Sequence, residues 1–145
     1  TPDGFPGKVG VVVPQGDKLA AVWFVPPVGD RVPGGIRVAD MGGRGAPEAR
    51  VHAFVDRLVD MDAISLGDRI VVAWIESGAT PFESRVKIGD PTSDAVLSVD
   101  AGGGAFRRVR FARGPGQDVA LLVHTLDDAV VAVGLGGEKY GTLGG

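Results

Sequence analysis

PGKVGVVVPQGDKLAAVWFVPP, residues Pro6–Pro27, holds two apolar runs separated by Gln15-Gly16-Asp17. Val9–Val13 reads as a strand that Pro14 stops, because proline has no N–H for a sheet ladder. Leu19–Val25 reads as a second strand, ended by Pro26-Pro27. The tight connection makes the two neighbours in one sheet. Similar Val-rich runs, each bounded by Gly, Pro or Asp, return about every 8–12 residues, the spacing of an all-β sandwich or barrel. The 24 Gly and 10 Pro act as punctuation between these runs and follow no collagen-like period.

Ile36–Ala39 is a short strand, and Met41–Glu48 (MGGRGAPE) a loop. In Pro47–Asp62 the apolar residues Val51, Phe54, Val55, Leu58 and Val59 fall at i, i+3, i+4, i+7 and i+8, which predicts one short helix around 47–60. Pro47 and Glu48 suit its first turn. A strand reading, with Val51, Ala53 and Val55 on one face, breaks at Arg57. β-structure then resumes with Arg69–Glu76 (RIVVAWIE) and Ser84–Ile88. Ala95–Val99 and Phe106–Phe111 look like a hairpin around Asp100–Ala105, and Val119–Thr125 pairs with Ala129–Leu135. The expectation is about nine strands, with residues 1–90 forming a β-sandwich domain. Residues 91–145 add strands that complete or extend it, ending in a flexible Gly-rich tail from Gly136.

The chain has 145 residues, a formal net charge of −3, two His and no Cys. A chain of this size holds a core without disulfides, and its composition is that of a globular protein. The lack of cysteine removes thiolate catalysis and Cys-based zinc sites. The negative balance argues against nucleic acid as a partner. No apolar run approaches the ~18 residues of a membrane span, so no membrane insertion is expected. No targeting or lipidation motif is visible, so localisation stays open, with an extracellular or virion setting favoured.

Residues 6–90 resemble a fibronectin type III-like, immunoglobulin-like β-sandwich module. PGKVGVVV (Pro6–Val13) is followed by a strand in which Leu19, Ala21 and Trp23 alternate onto one face and Trp23-Phe24-Val25-Pro26 reproduces Trp-x-x-Pro. GGIRV (Gly34–Val38) stands where that family has a Gly-Tyr-Arg-Val-like strand, and Arg69–Ile88 resembles its closing strands. Leu66–Ile70 lacks the family's corner tyrosine, a helix at 47–60 is foreign to the fold, and residues 91–145 lie outside the match. The resemblance implies use as a spacer or assembly module, as in adhesins, secreted enzymes and bacteriophage tail or capsid proteins. Function does not transfer with fold.

No residue set assembles a reaction. His52 with Asp56 lacks a third group, and His124 beside Thr125, Asp127 and Asp128 is ordinary turn chemistry. Asp90–Asp94 and the trio Asp56, Asp60 and Asp62 lack the spacing of a calcium loop. As acid and base the trio would belong to an enzyme, but three acids on an amphipathic segment read as its wet face. The Gly-rich stretches Ala101–Ala105 and Val133–Gly141 lack the context of a phosphate cradle. No catalytic residue, metal ligand or cofactor is therefore assigned.

The densest charge feature is Arg107, Arg108, Arg110 and Arg113. Alternation puts Arg108 and Arg110 on one face with Phe106, and Val109 and Phe111 on the other with Arg107. Such arginines suit an acidic protein interface, and Tyr140 in the tail is an exposed ring candidate, whereas Trp23 and Trp74 read as core. The expectation is a non-enzymatic structural or assembly module that packs on itself or on a larger protein scaffold. The alternative is a secreted or surface binding module for carbohydrate or protein.

Overall fold

The structure is a computed structural model that describes residues 9–42, 48–78, 80, 83–93, 95–99, 101, 105–114 and 118–135, with the backbone of 139–143. It is all-β. Twelve strands, and no helix, are found among the described residues.

They form three antiparallel four-stranded sheets, each built from strands consecutive in the chain. The first contains β1 (Gly10–Gln15), β2 (Lys18–Val25), β3 (Gly35–Asp40) and β4 (Ala49–Phe54). The second contains β5 (Leu58–Leu66), β6 (Arg69–Ser77), β7 (Ser84–Asp90) and β8 (Ala95–Ser98). The third contains β9 (Phe106–Arg113), β10 (Val119–Thr125), β11 (Val130–Val133) and β12 (Lys139–Leu143).

The second sheet is the middle layer. On one side Met61, Ile70, Val72 and Trp74 pack with Val22, Ile36 and Val38 of the first sheet. On the other, Ile64, Val71, Ala73 and Ile75 pack with Val109, Leu121 and Val123 of the third. A strand buried on both faces has no wet positions to alternate with, which is why RIVVAWIE is an unbroken apolar run.

The helix expected around 47–60 is not formed: Ala49–Phe54 is strand β4, and Leu58 begins β5. Its apolar residues serve different faces. Val55 and Leu58 enter the core, whereas Phe54 is 71% exposed. A bulge at His52 mimics helical spacing by moving Val51 and Phe54 to one side. Pairing with β3 and β6 overrides the local period, and β-branched Val51, Val55 and Val59 favour the extended chain. Pro47 lies outside the described residues.

Other expectations are corrected in the same way. Pro14 does not stop its strand, because β1 is a sheet edge and needs no outward donor there. β8 pairs with β7 and β9 with β10, so Ala95–Val99 and Phe106–Phe111 are not a hairpin but belong to different layers. Lys139–Leu143 pairs with β11. A bulge opposite His124 and Thr125 turns Phe106 inward with Val109, so Phe106 does not share the face of Arg108 and Arg110.

Candidate interaction surface

The outward positions of the first sheet follow from its registers. Gly10, Trp23, Arg37 and Val51 lie in one row across the four strands. Val12, Ala21, Ala39 and Ala49 form the next. Pro14 and Leu19 continue on one side, while Val25, Gly35 and Phe54 continue on the other. Arg37 is the only charged or polar side chain among these positions. A sheet with one wet face alternates apolar inward with polar outward; this one is apolar on both faces. Val12 is 61% and Leu19 51% exposed.

Trp23 and Arg37 lie directly opposite each other at the centre, on the two inner strands. Trp23 is half-buried on this outer face, not in the core; Trp74 is the core tryptophan, 1% exposed. Arg37 makes no ion pair among the described residues, and its Nε is buried without a hydrogen-bond partner. The signal was present in the sequence: VVV and LAAVWFV are apolar at both parities, which a half-wet strand is not.

The arginines of β9 are mostly engaged within the chain. Arg107 Nη2 lies 2.5 Å from Asp128 Oδ1, and Arg110 Nη1 lies 2.5 Å from Asp60 Oδ2. Arg113 Nη2 donates to the Ser65 carbonyl. Arg108 is exposed and stands opposite His124. Burial, and then the charges of Arg108, Arg107 and Arg110, hold the His124 imidazole below its ordinary value, against the pull of Asp128. Tyr140 lies in β12, where only the backbone is described.

Asp60 and Asp62 are not a wet face: they are 1% and 8% exposed. Their Oδ2 atoms accept the N–H groups of Val109 (3.0 Å) and Phe111 (2.9 Å) on the β9 edge. The two carboxylates thus stand in for a neighbouring strand. Asp56 is exposed at the β4–β5 connection and does not join them.

His52 is buried edge-to-face against Trp74, with ring centroids 5.8 Å apart. Asp90 accepts from Arg69 Nε at 2.6 Å and Thr92 N at 2.9 Å. Burial would raise its carboxyl, but Arg69 and these backbone donors hold it below the ordinary value. Asp127 is lowered by the Thr125 hydroxyl that donates to it. Asp94 lies outside the described residues. Among the described residues no group of three or more His, Asp or Glu is placed to hold a metal ion. No helix there is long and apolar enough to cross a membrane.

The first sheet's outer face, with an arginine and a tryptophan at its centre, is the surface that sequence reading missed. Comparison with protein-family models, with curated proteins and with solved structures gives no match, so the site rests on its geometry alone.

Proposed function

We propose that the chain is a non-enzymatic assembly module that buries the outer face of its first sheet against another protein surface, a copy of itself or a larger scaffold. The observation that carries this is the apolar character of every outward position but Arg37. Contiguous exposed apolar patches mark interaction sites, and Trp and Arg are the residue types that dominate interface energetics. The likeness to fibronectin type III-like modules rests on Pro6–Val13, the Trp23–Pro26 motif, Gly34–Val38 and Arg69–Ile88. The sequential strand order departs from the Greek-key connections of such sandwiches, so the proposal takes from it only the role of a rigid β module. Trp23 on a flat face also favours the carbohydrate-binding reading, but Arg37 is the one hydrogen-bonding side chain opposite it and the other outward neighbours are aliphatic, which favours protein.

Site-specific photo-crosslinking in the producing cells tests the reading. A benzophenone residue at Leu19 or Phe54 is expected to give discrete protein adducts, and the same group at exposed Asp68 to give none. Equal labelling from all three positions would remove the proposal.

A further inference from the structure

We infer that the occupant of this face is a second copy of the chain, related by a twofold axis that runs in the plane of the contact, parallel to the strands and between β2 and β3. The inference rests on the assembly reading and names its partner. Such an axis exchanges the two inner columns and the two outer columns of the sheet while keeping each row. Trp23 and Arg37 share a row on the two inner strands. The operation therefore places each Arg37 over the other copy's Trp23, twice per dimer. A guanidinium over an indole face is the most favourable cation–π geometry, and it gives the Arg37 charge, which makes no ion pair among the described residues, a complement in the second copy.

The remaining positions fit the same operation. Val12 meets Ala49 of the second copy, Gly10 meets Val51, and the two central alanines, Ala21 and Ala39, meet each other. Large faces small in each outer pair, as interdigitating sheets require. Other arrangements lose this: an axis perpendicular to the strands at this row would set Arg37 against Arg37 in an apolar contact with no acid on the face. The contact is isologous and closes as a dimer.

Four strands at ~4.8 Å and six residues at ~3.3 Å give a face of roughly 20 by 20 Å, about half the area per partner of a standard specific interface and the size of a weak, transient contact. A dimer that dissociates in the micromolar range is therefore expected. Because the contact is apolar with a cation–π pair, sodium sulfate tightens it, whereas a contact through the β9 arginines would loosen with salt.

The chain has no cysteine, which makes cross-linking clean. Val12→Cys and Ala49→Cys chains are purified separately, mixed, and treated with a short bismaleimide. Within one chain the two positions lie at opposite edges of the sheet, about three strand spacings apart. The mixture is expected to give a covalent dimer at several times the yield of either chain alone. Analytical ultracentrifugation of the wild-type chain is expected to show a monomer–dimer equilibrium. Arg37→Met weakens it about tenfold, and Leu19→Lys abolishes it with an unchanged circular dichroism spectrum.

A monomer at every concentration overturns the inference, as does cross-linking of Val12→Cys to itself as efficiently as in the mixture. If the photo-crosslinks at Leu19 and Phe54 then lead to a different protein, the assembly reading stands and the dimer falls. If those crosslinks are absent too, both fall.

Discussion

Asp60 concentrates the chemistry of one layer contact into one side chain. Its Oδ2 receives both the Val109 N–H and the Arg110 guanidinium, at 1% exposure. Asp60→Ala leaves a buried donor unanswered and a cation without its counter-charge. Breaking a buried pair costs ~3–5 kcal/mol, but Arg110 is a third exposed and can turn to water, so a loss of roughly 2–3 kcal/mol is expected in urea denaturation at pH 7. His124, on β10 of the third sheet, adds a pH dependence of its own. Its folded-state value lies below the ordinary 6.5, so the folded state resists protonation more than the unfolded chain does. The stability it contributes is complete above pH 6.5 and is lost as the pH falls below that value. His124→Gln is expected to flatten the stability profile between pH 7.5 and 5, measured as the change in denaturation midpoint. A variant as pH-sensitive as the wild type would show that His124 is not the titrating group.

At the scale of the element, close approach decides more than propensity. Gly89 sits in β7 where any Cβ would collide with His52 Nε2 and crowd Trp74. Gly89→Ala is expected to destabilise by roughly 1–3 kcal/mol through overpacking and to change the near-ultraviolet signal of Trp74. The sequence carried most of the strands, because Val-rich runs between Gly, Pro and Asp have few other uses: β1, β2, β6, β10 and β11 lie within a residue or two of where they were expected. The segment 47–62 was misread because a bulge at His52 and the break at Asp56-Arg57 give its apolar residues a helical period by accident. The pairing of β8 with β7 is a local hairpin across the short connection 91–94, which the Gly-rich stretch after Ala95–Val99 obscures in the sequence. The candidate surface is half legible: the two-sided apolar runs are visible, but which parity faces outward depends on a partner sheet about 40 residues away, so the sequence alone does not separate Trp23 from a core residue.

For the whole molecule the decisive property is that the middle sheet holds both cores. Val71 and Val72 are consecutive, yet Val71 belongs to the contact with the third sheet and Val72 to the contact with the first. Val71→Ala and Val72→Ala are each expected to cost about 2 kcal/mol, in the range of buried aliphatic truncations. If the layers fold as one unit, both variants keep a single transition by fluorescence and by circular dichroism, with an unchanged denaturant slope. Two separated transitions in either variant would mean that one outer layer leaves before the rest.

The two-faced first sheet has a consequence for biosynthesis. Its strands leave the ribosome before those of the other two sheets, so the second sheet is not yet there to cover the inner side. The inner face waits for β5 and β6 to emerge, a delay of seconds at ordinary translation rates. On the assembly reading the outer face waits for another molecule. On that reading a nascent chain of this kind needs a chaperone, or a twin on a neighbouring ribosome, before its own third layer exists.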